Sequence, residues 1–143
     1  MRDAVGGTYM IKLLLIFLAV YTIFIALAIN YAKAFRVKNK ILDIIEQNEG
    51  IKDYNNQNDP ALVQIESYMG SIHYGVNIST IDDKCNGYYY INKTRGYCIT
   101  TVDSDTASYY KVTTFVTLSI PVVRLEYTIP IRGETRKIER INT

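Results

Sequence analysis

Polar positions vanish from the chain soon after its start. From Leu13 to Ala32, twenty consecutive residues carry no charge and nearly all are apolar. A helix of that length crosses about 30 Å of hydrocarbon. Tyr9 and Lys12 stand before the run, and Tyr31 and Lys33 at its end. The two tyrosines are about 33 Å apart along a helix at 1.5 Å per residue, the spacing of two membrane–water interfaces. A buried core helix is the soluble alternative, but a domain built from the rest of so short a chain cannot surround it on all sides.

Beyond the run the pattern changes period without a break. Ala34, Val37, Ile41 and Ile44/Ile45 recur at three- and four-residue spacing, which is one face of a helix. Lys33, Arg36, Lys38 and Lys40 precede Asp43, Glu46 and Glu49, and Gly50 follows as the expected left-handed C′ residue. No proline falls between Met1 and Gly50. The pattern predicts one helix from about Thr8 to about Asn48, apolar all round in its first half and amphipathic in its second. Ala26-Leu27-Ala28 is also an A-x-A-like site of the kind that follows a signal peptide. The continuation of the helical pattern past Ala28 favours a retained span.

Asp53 to Asp59 is a polar loop. Asp59 is placed to cap a helix opened by Pro60, with Leu62, Ile65 and Met69 as its apolar stripe and Gly70 at its end. From Ser71 the pattern turns to strands, with His73 in one and "GVNIST" a candidate for another. "YYYIN" and "GYCITTV" flank "KTR" and read as a hairpin. Then comes strict alternation. Tyr110, Val112, Val116, Leu118, Ile120 and Val122 are apolar at even positions; Leu125, Tyr127, Ile129 and Ile131 are apolar at odd ones. Period two over both segments predicts two half-buried strands with one wet face. The phase flips at Val122-Val123, so a tight reversal there puts both apolar sets on one side. Pro121 and Pro130 suit a strand end or edge. Arg132 to Thr135 reads as a turn before a closing strand in "TRKIERI". The fold class is therefore α+β, with a long N-terminal helix packed through its amphipathic half on a small antiparallel β-sheet. Three regions follow: a short tail or leader over 1–7, the spine helix over 8–50, and an α+β domain over 51–143.

Composition adds one emphasis. There are thirteen Tyr against four Phe and no Trp. Tyrosine suits half-buried β surfaces and interfaces, where the ring is buried and the hydroxyl stays wet. Tyr88, Tyr89, Tyr90 and Tyr97 cluster on the hairpin and are candidates for contact with a partner or glycan; the alternative is that they pack the sheet. A net charge of +2 gives no argument for nucleic acid. Two cysteines and one histidine leave little room for metal or nucleophile chemistry. Cys85 and Cys98 are a candidate disulfide, with Cys98 expected opposite the Tyr90 region and Cys85 folded back through Asn86-Gly87. Asp103 and Asp105 have calcium-ligand spacing but lack the glycine and distal glutamate of a calcium loop. Asn77 and Asn92 open N-x-S/T sequons. No catalytic motif is present, and the expectation is a non-enzymatic protein without a cofactor.

The flanking charges conflict with the rest. Basic residues are denser after the span than before it, which by the positive-inside rule puts the C-terminal domain in the cytoplasm. The cysteine pair and Tyr-rich strands favour the outside, and the expectation is a single-pass protein of the cell membrane with its domain extracellular.

An apolar helix that continues into an amphipathic half and then a small sheet resembles the layout of type IV pilins and pseudopilins. "GGTYMIKLLLIFLAVY", "INYAKAFRVKNKI" and "IPIRGETRKI" are similar to small membrane proteins of Gram-positive bacteria related to the pseudopilin-like components of tight-adherence (Tad-type) pilus systems. The resemblance implies a structural subunit of a surface pilus or secretion filament. Its partners would be the lipid membrane, other pilin-like subunits and the pilus assembly machinery. It also implies leader cleavage between Gly7 and Thr8. That would make Lys12 the fifth mature residue, where pilins carry a glutamate. The competing reading is a membrane-anchored surface module that binds through the Tyr-rich hairpin.

Overall fold

The computed structural model describes residues 2–56, 58–76, 84–104, 107–120 and 125–139. The chain folds as α1 (Arg2–Gln47), α2 (Pro60–Ser71), β1 (Tyr90–Asn92), β2 (Tyr97–Asp103), β3 (Ala107–Ile120), β4 (Leu125–Glu134) and β5 (Ile138–Glu139). It is a long helix packed on an antiparallel sheet of order β1-β2-β3-β4, with β5 also paired to β3. The phase flip at Val122-Val123 lies outside the described residues, but its consequence is visible. Ile120 pairs with Leu125, Val116 with Ile129 and Thr114 with Ile131, so even positions of β3 and odd positions of β4 share a face.

α1 starts at Arg2 rather than Thr8, running straight through Gly6 and Gly7. Glycine weakens a helix interior by about 1 kcal/mol but does not forbid it. At about 1.5 Å per residue α1 is roughly 70 Å long. Its second half buries Ala34, Val37, Ile41, Ile44 and Ile45 against Leu62, Ile65 and Met69 of α2 and against Ile99, Val112, Val116 and Ile131 of the sheet. The predicted stripe of α2 is buried, and Asp59 caps it by accepting the Ala61 N–H at 2.9 Å. The same carboxylate accepts the Lys52 N–H at 2.9 Å, tying the loop after α1 to the start of α2.

Both helices end in the Schellman geometry, but not at the expected residues. Gly50 N–H donates to the Ile45 carbonyl and Glu49 N–H to Glu46. This makes Glu49, at φ 57°, the left-handed C′ residue and Gly50, at φ 105°, the one after it. In α2, Tyr74 N–H donates to Met69 and His73 N–H to Gly70, with His73 at φ 50°. His73 is thus a helix-terminating residue and not part of a strand. Met69 and Tyr74 then meet in the core, the apolar contact that accompanies this cap.

The end of β4 also departs from expectation. Arg132 to Glu134 is not a turn but strand, paired with Lys111 to Thr113. Gly133 is small because α1 lies on it: a Cβ there would come within 2.7 Å of Lys38 Cδ and 2.9 Å of Leu42 Cδ1. The break comes later. Thr135 still bonds to Tyr110, through its N–H and through its Oγ1, at 2.9 Å each. The ladder then slips by one residue before Ile138 pairs with Ser108. The extra residue makes a bulge, and the Arg136 N–H is turned onto Glu46 of α1 at 2.8 Å. Pro130 sits in β4, an edge strand, as its missing N–H requires.

The second face of the sheet is not simply wet. Phe115, at an odd position, is fully buried with Cys85 and Cys98, and Val76 and Tyr88 pack around them. The segment preceding β1 supplies this cover.

Candidate functional site: the projecting helix and the tyrosine hairpin

The first half of α1 stands clear of the domain. It is long and apolar enough to cross a membrane, and none of its most apolar stretch is buried. Phe17 and Phe24 are each 66% exposed. Tyr9, Lys12, Tyr31 and Lys33 are all exposed at the two ends of this stretch. Gly7 and Thr8 lie within the helix, and open space surrounds Gly7. An uncovered apolar cylinder is unfavourable in water by about 25 cal/mol per Å². Lipid, or other helices of the same kind, would remove that cost.

At the junction of this half with the domain is a cleft of about 330 Å³. Asn30 and Lys33 line it from α1, His73 and Tyr74 from the end of α2, and Val116 and Thr117 from β3. It marks the level at which the apolar surface gives way to the polar one.

Cys85 and Cys98 are bridged, with Cα atoms 6.2 Å apart. Cys98 pairs with Ile91 across the hairpin, one position along from Tyr90. Asn86-Gly87 forms the turn that returns Cys85 to the sheet.

The hairpin tyrosines do not form one contact face. Tyr97 is fully buried and belongs to the core. Its hydroxyl donates to Glu66 Oε1 of α2 at 2.6 Å, and Asn92 Nδ2 donates to the same oxygen at 2.6 Å. Arg95 Nε lies 3.7 Å from Glu66 Oε2, and its Nη1 donates to the Tyr74 carbonyl. Glu66 therefore docks the hairpin turn onto α2. Burial, reinforced by Glu66, drives the Tyr97 phenol far above its ordinary value. Tyr90 packs beside Tyr97, ring centroids 5.9 Å apart. Tyr88 is half-buried and its hydroxyl bonds Thr113 Oγ1 at 3.0 Å. Tyr89 alone of the four is exposed, at 69%, stacked on Tyr54 at 5.6 Å. Tyr54 bonds Thr101 through its hydroxyl, and burial raises its pKa to about 12. Tyr74 donates to the Phe115 carbonyl at 2.6 Å, and burial raises it to about 12 as well.

Four residues position this arrangement through contacts that sequence pattern does not show. Glu66 looks like one more polar helix residue until Tyr97 is known to point at it. Lys38 is only 8% exposed, its stem against Gly133 and its Nζ 4.2 Å over the Phe35 ring. Thr114 donates to the Ala34 carbonyl of α1 at 3.3 Å. Tyr110 holds the turn after α1, where the Ile51 N–H donates to its hydroxyl at 3.0 Å. Asp105 and Asn77 lie outside the described residues; Asn92 is half-buried at the end of β1. Among the described residues no three His, Cys, Asp or Glu side chains come together as a metal site would need. No family model, curated protein or solved structure matches this chain.

Proposed function

We propose that this chain is a membrane-anchored structural subunit of the pilin or pseudopilin type, held in a bilayer or filament by the first half of α1 and displaying its sheet outside the cell. One observation carries the reading: a single uninterrupted helix is bare and apolar for its first half and forms the core of its own domain with the second. Ala19, Ala26 and Ala32 offer positions for close approach by a neighbouring helix. The disulfide supports an oxidising, extracytoplasmic side for the domain. Lys12 at the pilin glutamate position favours an accessory or priming subunit over the main repeating one, because its charge is opposite to that used for subunit register. A binding module tethered by the same helix is the second reading, favoured by the exposed Tyr89–Tyr54 stack.

N-terminal analysis of the protein from membranes and from sheared surface material tests this. Thr8 as first residue in sheared material is expected for a processed filament subunit, and an intact terminus confined to membranes for an anchored accessory. Ile29 as first residue would sink both membrane readings.

A further inference from the structure

β3 and β4 outrun the rest of the sheet. β2 leaves β3 at the Tyr97–Thr114 pair, whereas β3 and β4 remain paired out to Ile120 and Leu125. From Phe115 onward the sheet narrows to a two-stranded ribbon, about 20 Å long at 3.4 Å per residue, covered at its start by the Cys85 segment over Phe115 and by α1 over Val116.

Three contacts fix where the ribbon points. Tyr110 meets Ile51, just past the C-terminal end of α1. Thr114 meets Ala34, and Val116 and Thr117 share the cleft with Asn30 and Lys33. β3 therefore runs antiparallel to α1, and the ribbon heads toward the apolar half of the helix. The exposure of α1 agrees. Between Leu13 and Ala32 every residue is exposed except Ile23 and Leu27, which are half-covered. By helical spacing these two share a face with Asn30 and Ala34, the side on which the ribbon lies.

The ribbon's apolar face is left incompletely covered. Val116 is buried beneath α1, but Tyr127, on the same face by register, is 68% exposed. One helix about 10 Å wide does not cover this face.

We infer that the end of the β3–β4 ribbon rests in the headgroup–acyl boundary of the same bilayer that α1 crosses, giving the domain a second membrane contact that fixes its height and tilt. The inference rests on the membrane-anchored reading above. The occupant is argued from continuity: the open apolar face adjoins the apolar surface of α1 and extends past the level of Lys33. Depth is limited by the backbone. Beyond Thr114, β3 has no strand partner on its β2 side among the described residues. The Phe115 carbonyl on that side accepts the Tyr74 hydroxyl; the edge groups beyond it need water or headgroups, which hydrocarbon does not supply. The ribbon therefore stops in the interfacial zone, roughly 5–10 Å deep, with Tyr127 in the aromatic belt beside Tyr31.

The test uses the full chain reconstituted in phosphatidylcholine–phosphatidylglycerol vesicles, with an environment-sensitive fluorophore on one introduced cysteine and the native disulfide intact. Tyr127→Cys, Leu18→Cys and Lys52→Cys are labelled in turn, all at exposed positions. Lipids carrying a nitroxide high or low on the acyl chain serve as quenchers. The expected result is at least twofold stronger quenching at 127 by the shallow nitroxide than by the deep one, the reverse order at 18, and none at 52. Quenching at 18 with none at 127 overturns the ribbon contact and leaves the anchor standing. Stronger deep quenching at 127 overturns the interfacial depth. Self-quenching at 127 that grows with protein density, without lipid quenching, assigns the face to a second copy. No quenching at 18 removes the anchor and the inference together.

Discussion

The Tyr97 hydroxyl donates to Glu66 Oε1 at 2.6 Å, joining a fully buried ring of β2 to the partly exposed face of α2. Removing the acceptor strips a buried phenol of its carboxylate partner. Glu66→Ala is expected to destabilise the domain by about 1–3 kcal/mol. Tyr97→Phe should cost less, because Asn92 still satisfies the carboxylate. Urea unfolding of both variants checks the order.

Alkali should unfold this protein through its tyrosines. Tyr54 and Tyr74 are raised to about 12 and Tyr97 further, each mainly by burial. A raised folded pKa means that the folded state holds its proton after the unfolded chain has lost it. Stability from these groups is intact below pH about 10 and falls as pH rises through the folded values. Each fully buried tyrosine contributes a slope of up to about 1.4 kcal/mol per pH unit; Tyr54, partly exposed, contributes less. Phenolate absorbance should show a fraction of tyrosines titrating only together with loss of structure.

Glycine and non-glycine positions should respond in opposite directions. Glu49 occupies a left-handed position that L side chains disfavour by about 1–2 kcal/mol. Glu49→Gly is expected to stabilise by about 0.5–1 kcal/mol after the entropy of the freer unfolded chain. Gly50→Ala should destabilise by more than about 2 kcal/mol, since a Cβ there meets the Tyr110 ring and hydroxyl. Gly133→Ala presses on the buried stem of Lys38 and on Leu42 Cδ1 and should destabilise by about 1 kcal/mol. Gly133→Val should destabilise by about 1–3 kcal/mol as it lifts α1 from β4.

These positions also mark where the sequence was readable. Ala34, Val37, Ile41 and Ile44 declare their face by spacing, and the alternation of Val112, Val116, Ile129 and Ile131 declares the sheet, because local periodicity alone sets both. Asp59-Pro60 declares a helix start because capping is local. Gly133 misled, since glycine marks both turns and close approaches and only the position of α1 separates them. His73 misled because its left-handed conformation is imposed by the α2 end and not by its own preference. The role of Glu66 depends on a residue thirty-one positions away. The burial of Phe115 is not legible in the sequence, because nothing local shows that the Cys85 segment returns across it.

The Cys85–Cys98 bridge should matter more to stability than to shape. Closing a loop with a sequence separation of 13 is worth about 3 kcal/mol in the chain-entropy model. Reduction, or the double change Cys85→Ser and Cys98→Ser, should lower the unfolding free energy by about that amount. The circular dichroism of the folded state should change little.

The most direct measurement is of the two ends of the apolar stretch of α1. Thr8→Cys and Lys52→Cys are introduced singly, and intact cells are treated with a membrane-impermeant maleimide. A helix that crosses the bilayer with the domain outside gives modification at position 52 on intact cells and at position 8 only after lysis. Modification of both positions on intact cells, or protection of position 52, would contradict the membrane-spanning arrangement with an external sheet.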